Sequence, residues 1–247
     1  MKKLLSLFFL LVNCSLYAEG LDSLKMQADS AYAREDYIQA AQLYHQAQPS
    51  AAVYYNLGNT YYRMDELAKA ILYYERALLL SPGDKDIRFN LDMARSKTID
   101  KVVPIRVFFF VEWYRSLVNF MSADTWGKLA LMAFVVALVG LGGFFSFQVL
   151  PARKAGFAVF FIFLALSVCA NVAGWYQRKR LEYRTGAIVT SASTIVRSTP
   201  SDSGQELFVL HEGTRVEIKD DGLKLWCEVE LADGKRGWML SKDLELI

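Results

Sequence analysis

The chain has 247 residues, of which 53% are hydrophobic and 14% aromatic, and its formal net charge is +2. That length suits two small domains plus membrane segments, and so small a positive charge gives no reason to expect nucleic acid as a partner. The three cysteines are too few and too scattered for a disulfide framework, and two histidines make histidine-based metal chemistry improbable.

Residues 1–18 have the layout of a cleaved secretory signal peptide. A basic start precedes an apolar run at 4–12 that is too short to span a membrane permanently, and the segment ends in the small residue Ala18. The alternative is a lipoprotein signal with an acylated Cys14, although asparagine is a poor residue immediately before such a cysteine. Both interpretations predict export of the chain from Glu19 onward.

Residues 19–98 are predicted to form an all-α domain of repeated helical pairs. In Ala51–Asp84, the small residues Gly58 and Ala70 provide room where two helices cross, and Pro82 ends the second helix. This segment resembles the tetratricopeptide repeat (TPR) without a gap over 34 residues.

Two further segments extend the repeat pattern on either side. A weaker copy covers about 21–48, with a second helix shortened by the early Pro49, and one more helix at about 84–97 serves as an end cap. The sequence therefore predicts two repeats plus a capping helix.

The TPR resemblance implies a partner-binding groove lined by the first helix of each pair. Its groove positions fall on Tyr55, Asn59, Tyr62 and Arg63. Asn59 and Arg63 are one helical turn apart and could together hold a carboxylate or a backbone segment of another protein. The alternative is that all four are solvated surface residues, but two tyrosines on an exposed helix face favour the groove.

Two uncharged runs predict a transmembrane helical hairpin over residues 126–177. The runs 129–152 and 155–177 are each long enough to cross the bilayer, and only Arg153 and Lys154 separate them. Aromatic residues stand at both outer ends, at the level of the headgroups. The alternative, a helical pair buried in a soluble core, is disfavoured because neither run alternates as an amphipathic core helix does.

Small residues predict where these two helices pack. Ala133 and Ala137 in the first helix, and Ala170 and Gly174 in the second, have the four-residue spacing that permits close approach. Asn171 is predicted to form a helix–helix hydrogen bond rather than a transport site.

The segment at 99–125 is predicted to be a linker followed by an interfacial amphipathic helix. It is rich in aromatic residues and carries one narrow polar stripe that includes Glu112 and Arg115. Such a helix lies along the bilayer surface. A protein-docking helix stays open as the competing interpretation.

Charge placement gives conflicting signals about orientation. An exported first domain puts Arg153 and Lys154 inside, in agreement with the positive-inside rule, but puts the basic linker at 178–185 outside, against that rule. Because the first hydrophobic segment usually dominates, both soluble domains are predicted on the periplasmic side of a bacterial inner membrane.

The tail at 186–247 predicts a small all-β barrel. It resembles the bacterial SH3-like domain through the turn at 212–214, the turn at 233–235 and the pair Gly237-Trp238. Trp226 and Trp238 are predicted to lie in the barrel core, with a ligand platform as the alternative, and Cys227 is predicted to be a buried, unpaired thiol. Turns are predicted at 198–204, 220–222 and 233–234, and strands at Ile188–Thr190, Ile195–Arg197, Thr214–Lys219, Trp226–Leu231 and Gly237–Met239.

This order of segments, with the strings YYNLGN at 54–59 and AILYYERAL at 70–78, resembles the BatE family of the Bacteroides aerotolerance operons. The resemblance implies an inner-membrane scaffold that acts with von Willebrand factor A-type membrane proteins and a MoxR-type AAA+ ATPase. It also implies a role in envelope integrity or oxidative-stress tolerance.

Three classes of function follow from these patterns. A non-enzymatic protein-interaction scaffold fits both terminal domains, and a tether that binds peptidoglycan through the SH3-like domain is the alternative. Catalysis is disfavoured because the sequence offers no nucleophile–base set, paired-carboxylate motif, phosphate-binding glycine loop or metal cluster. No cofactor is expected.

Overall fold

The structure, a computed structural model, describes residues 23–247. The predicted signal peptide and the alternative site at Cys14 lie outside the described residues. These residues divide into two compact units, one built from 23–79 with 84–106 and 185–247, the other from 80–83 and 107–184. We call residues 23–98 the helical-repeat domain and residues 186–247 the barrel.

Five helices form the helical-repeat domain. They are α1 (23–33), α2 (Tyr37–Gln46), α3 (Ala51–Arg63), α4 (Leu67–Leu80) and α5 (Lys85–Ser96). Asp36, Ser50 and Asp84 cap α2, α3 and α5, because each side chain accepts from a backbone N–H in the first turn. With 10 residues, α2 is shorter than α4 with 14, as Pro49 predicts.

The second repeat has a close helix crossing, and both repeats have the same kind of turn. A Cβ added to Gly58 would lie 2.5 Å from Tyr74 Cδ1, so α3 and α4 cross where only glycine fits. Ala70 is fully buried, which confirms the role predicted for both small residues. Glu35 and Asp65, at the same place in successive repeats, both adopt positive φ in the turn between the paired helices.

The second unit contains α6 (Phe109–Val118), α7 (Ala123–Ser146) and α8 (Leu150–Glu182). By length and composition α7 and α8 could each cross a membrane, and only 22% and 11% of their most apolar windows are buried. Such exposure argues against the soluble-core alternative. The turn between α7 and α8 lies at 147–149, before the predicted position at Arg153 and Lys154. Pro151 fits the first turn of α8, because its missing N–H costs no hydrogen bond there. Arg153 and Lys154 therefore lie inside α8.

Small side chains line the contact between α7 and α8. Ala133, Ala137, Ala170 and Gly174 are all buried, as their spacing predicts. The prediction for Asn171 is wrong: it is exposed, and within the described chain Ser167 makes the helix–helix hydrogen bond, donating to the Ala130 carbonyl at 2.9 Å.

The barrel is a seven-stranded antiparallel sheet in the order β3-β2-β6-β5-β4-β1-β7. The sequence prediction missed β3 and β7. It was also wrong about the turn at 220–222, which belongs to an irregular, bulged part of β4. The strands are β1 (Gly186–Val189), β2 (Ser193–Arg197), β3 (Glu206–His211), β4 (Arg215–Leu223), β5 (Trp226–Glu230), β6 (Arg236–Leu240) and β7 (Leu244–Leu246).

The barrel core excludes the two tryptophans. Cys227 and Val229 on β5, and Met239 on β6, point into the core, so the alternating Trp226 and Trp238 lie half-buried on the opposite, outer face. The prediction that these tryptophans fill the core is therefore wrong. Cys227 is a buried free thiol, as predicted.

Candidate partner-binding site

The predicted groove is built on α3, between α1 and α5. Asn59 Oδ1 accepts hydrogen bonds from Tyr74 Oη at 2.7 Å and from Asn90 Nδ2 at 2.9 Å. Asn90 Nδ2 also lies 3.0 Å from Tyr55 Oη. Two of the four predicted groove residues, Tyr55 and Asn59, thus belong to one polar cluster. Among the described residues none accepts from the Asn59 amide nitrogen, which leaves that donor for a ligand.

The other two predicted residues point to neighbouring helices. Lys97 Nζ lies 4.4 Å from the centre of the Tyr62 ring, and a hydrogen bond with Tyr62 raises the pKa of Lys97. A hydrogen bond with Tyr32 on α1 raises the pKa of the Arg63 guanidinium. Asn59 and Arg63 therefore belong to separate clusters, although both lie on α3.

Sequence reasoning missed Lys97, Asn90 and Tyr32. The repeat length could have identified the first two, because Lys97 lies 34 residues after Arg63 and Asn90 lies 34 residues after Asn56. Equivalent positions of successive repeats thus carry an exposed cation, Arg63 on α3 and Lys97 at the end of α5. Each of these cations has a tyrosine partner, and together with the Asn59 amide they suit an extended segment that carries carboxylates.

A second polar cluster fixes α1 against α2 and α3. Asp29 accepts from Lys25, from Tyr44 Oη at 2.6 Å and from Asn56 Nδ2 at 3.0 Å. Burial raises the pKa of Asp29, but these hydrogen bonds outweigh it and hold the pKa below its ordinary value. The carboxylate is charged and fully partnered, so we assign it a structural role.

Asp100, just after the helical-repeat domain, binds the barrel. Its carboxylate accepts from the His211 backbone N–H at 2.7 Å and from Thr214 Oγ1 at 2.7 Å, and it lies 2.9 Å from His211 Nδ1. Burial raises the pKa of Asp100, yet these donors lower it below its ordinary value overall.

Two charged side chains on α4 form a second set of contacts with the barrel. Glu75 is only 6% exposed and pairs with Arg95 of α5 and, at 3.7 Å, with Arg215 of β4. Next to it, Arg76 donates to Glu245 at 3.1 Å and to the Leu246 carbonyl at 2.5 Å.

Apolar contacts complete this joint between the helical-repeat domain and the barrel. Ile188 and Ile247 of the barrel belong to the same buried cluster as Ile71 of α4. Gly213 has φ +81, and a Cβ there would lie 2.9 Å from Thr98 Cγ2 and 3.0 Å from Ile71 Cδ1. The barrel is therefore packed on α4 and the segment after α5 as part of one compact unit.

The outer face of the barrel carries an aromatic patch. Trp238 on β6 is directly opposite Glu228 on β5, so Trp226 is its diagonal neighbour on the same face. On the other edge of β6, away from β5, Arg197 of β2 is the strand neighbour directly opposite Trp238. We call these three residues the tryptophan patch.

Two family models match this chain. The tetratricopeptide repeat model matches residues 51–84, and the bacterial SH3 domain model matches residues 192–245. None of the curated proteins matches the chain in sequence. The chain thus contains a TPR and a bacterial SH3 domain, joined in sequence by a hairpin of two long apolar helices.

Proposed function

We propose that this protein is a membrane-anchored, non-enzymatic scaffold that binds a carboxylate-bearing segment of a partner protein in its TPR groove. The observation that carries the proposal is that each exposed cation is paired with a tyrosine, Lys97 with Tyr62 and Arg63 with Tyr32. The Asn59 amide donor lies one helical turn before Arg63 on α3. Exposed cations next to aromatic rings supply charge and stacking to a peptide without any reacting group.

Membrane placement is supported by the exposure of α7 and α8 and by the joint. The segment before the hairpin, through Asp100, is packed against the barrel that follows the hairpin. This contact supports a placement of both in one compartment, and two crossings by α7 and α8 would return the chain to its starting side. The predicted signal peptide supports the periplasm of a bacterial inner membrane as that side.

Accessibility of single cysteines tests this topology. In intact spheroplasts we expect a membrane-impermeant thiol reagent to label Lys69→Cys and Asp202→Cys but to spare Lys154→Cys until the membrane is opened. All three positions are exposed, so protection would report sidedness rather than burial. Labelling at positions 69 and 202 from opposite sides would contradict the topology.

The partners that we propose come from the BatE resemblance. They are von Willebrand factor A-type Bat membrane proteins, linked to a MoxR-type AAA+ ATPase, in a complex for envelope or oxidative-stress tolerance. The two domain matches support a binding role, and the resemblance supplies the names of the partners.

Affinity purification from solubilised membranes tests the groove. We expect the Arg63→Ala/Lys97→Ala double variant to recover at least about tenfold less partner, because a hydrogen bond to a charged group contributes about 1.5–3 kcal/mol. Lys69→Ala, which removes an exposed cation from α4 instead, should recover partners as the parent chain does. Equal recovery of partners by the double variant, by Lys69→Ala and by the parent chain would refute the groove assignment.

A cell-wall tether is the second candidate, favoured by the tryptophan patch. Adjacent half-exposed tryptophans offer apolar faces to a ligand that a buried pair could not offer. If this candidate is right, the full-length chain in detergent will sediment with purified sacculi, and Trp238→Ala will reduce the bound fraction several-fold. Leu225→Ala, on the exposed turn before β5, is the control. Equal sedimentation of Trp238→Ala and the parent would exclude the patch.

A further inference from the structure

The last turns of α8 and the residues just after it carry four cations without acidic partners. Arg178, Lys179, Arg180 and Arg184 are all exposed, and within residues 23–247 none of them forms an ion pair with a carboxylate. Their protein contacts are weak or local: Arg180 reaches Asn119 Oδ1 at 3.4 Å, and Lys179 stacks over Trp175 at 4.4 Å. This cluster, which we call the basic collar, directly follows the apolar part of α8.

Hydrogen bonds attach α6 to the hairpin at the level of the basic collar. Gln177 Nε2 donates to the carbonyls of Val118 at 2.5 Å and Met121 at 2.7 Å. Trp126 Nε1 on α7 also donates to the Val118 carbonyl, at 2.9 Å. The end of α6 is thus fixed to both long helices just where their apolar runs stop.

Two contacts of α6 fall on neighbouring residues of α8. Tyr114 packs on Tyr176 with ring centres 5.8 Å apart, whereas Val118 is bonded by the next residue, Gln177. Tyr114 and Val118 are four residues apart, about 6 Å along α6, yet they contact adjacent residues of α8. Both contacts therefore lie at the same level of α8, where its apolar part ends.

Most of the α6 surface is apolar and exposed. Trp113 is 64% exposed, and the same face of α6 includes Phe109, Phe110 and Leu117. Phe120, just after α6, is 72% exposed. This surface continues the exposed apolar surface of α7 and α8. If lipid surrounds those helices, it also reaches α6, which then lies among headgroups and upper acyl chains.

We propose that α6 and the basic collar form a site for anionic phospholipid headgroups, with the α6 aromatic face immersed in the bilayer interface. The proposal rests on the membrane placement of α7 and α8 proposed above. Cations attract anionic lipid, and aromatic rings favour the interface. Headgroups also resolve the charge conflict, because they neutralise the collar on the side where the positive-inside rule expects few cations.

Spin-label depth in nanodiscs tests the site with the full-length chain. The label is placed at Phe110→Cys in a chain with Cys14→Ser and Cys169→Ala, and the buried Cys227 is retained. Collision rates with oxygen and with a water-soluble nickel chelate are compared in phosphatidylcholine alone and in phosphatidylcholine containing phosphatidylglycerol. The test variant replaces Arg178, Lys179 and Arg180 by glutamine, and the matched control is Arg153→Gln/Lys154→Gln at the opposite end of the hairpin.

We expect oxygen collisions to dominate at position 110 in the phosphatidylglycerol discs. Each cation near an anionic surface strengthens partition about fivefold, so the collar variant should show several-fold more nickel collisions while the control stays unchanged. A water-exposed label in both lipids would overturn the proposal, as would equal immersion with and without phosphatidylglycerol or with and without the collar. These readouts do not depend on partner capture, so failure of the scaffold function would be seen separately.

Discussion

Replacing Asp100 by asparagine is expected to release the barrel from the helical-repeat domain. The carboxylate accepts from three groups of the barrel, and an asparagine amide would present a donor to at least one of them. Because the side chain is only 17% exposed, the unmatched donors are poorly solvated, and we expect a loss of about 3 kcal/mol. Hydrogen exchange of peptides covering 206–215 measures the release, since the His211 amide proton loses its acceptor.

A control for this change is available on α5. Asp92→Asn also removes a carboxylate, but that side chain is 67% exposed and lies 4.0 Å from Arg95, so its loss should leave exchange in the barrel unchanged. If Asp100→Asn exchanges like the parent at 206–215, Asp100 does not hold the joint.

The same joint should weaken in acid. The folded pKa of Asp100 lies below its ordinary value of 3.8, so its contribution to stability is complete above about pH 4. It is lost as the pH falls through the folded pKa, because the protonated carboxyl accepts fewer hydrogen bonds. The parent chain should therefore lose more stability on acidification than Asp100→Asn, which lacks this titrating group.

Locally encoded features could be predicted from the sequence. Gly58 and Pro82 determine a helix crossing and a helix end within one repeat, and the uncharged runs specify the two long helices without reference to anything distant. The pairing of Asp100 with His211 bridges 111 positions of sequence and has no periodic signal, so only the fold reveals it.

The wrong predictions for the barrel also arise where a local pattern does not specify the fold. The apolar run Leu207–Leu210 in β3 does not alternate, so it lacks the period of a half-buried strand. Alternation in β5 and β6 separates two faces but does not say which face is the core, so the pattern alone does not place the tryptophans. In the groove, the family pattern supplied positions on α3, whereas Lys97 and Tyr32 depend on how neighbouring helices stack.

The hairpin was predicted from composition, but its closest contact was not. A Cβ added to Gly140 would lie 2.9 Å from the Gly156 carbonyl oxygen and 2.9 Å from the Phe160 nitrogen. A Cβ added to Gly156 would lie 2.8 Å from the Gly140 carbonyl oxygen. The two backbones therefore touch, and in lipid such close packing replaces the hydrophobic effect as the source of helix association.

Replacing Gly140 by leucine is accordingly expected to separate α7 from α8. The neighbouring atoms belong to backbone and cannot move aside as a flexible side chain would, so we expect a loss of about 2 kcal/mol or more. Gly142→Leu is the matched control, because it makes the same change two residues away, where nothing lies within 4 Å. SDS-driven unfolding of the full-length chain in mixed micelles, followed by circular dichroism, compares the two.

Helix propensity sharpens this comparison. Leucine favours a helix over glycine by nearly 1 kcal/mol, so Gly142→Leu should unfold at an equal or higher SDS fraction than the parent. The same gain acts at Gly140, and a decrease in stability there would have to come from the contact with α8. Gly156→Ala adds a Cβ at the same contact from the α8 side and should also destabilise the hairpin. The destabilisation by Gly156→Ala and by Gly140→Leu should not be additive, because both variants open the same interface. Equal unfolding of the variants at positions 140 and 142 would mean that α7 and α8 do not meet at this crossing.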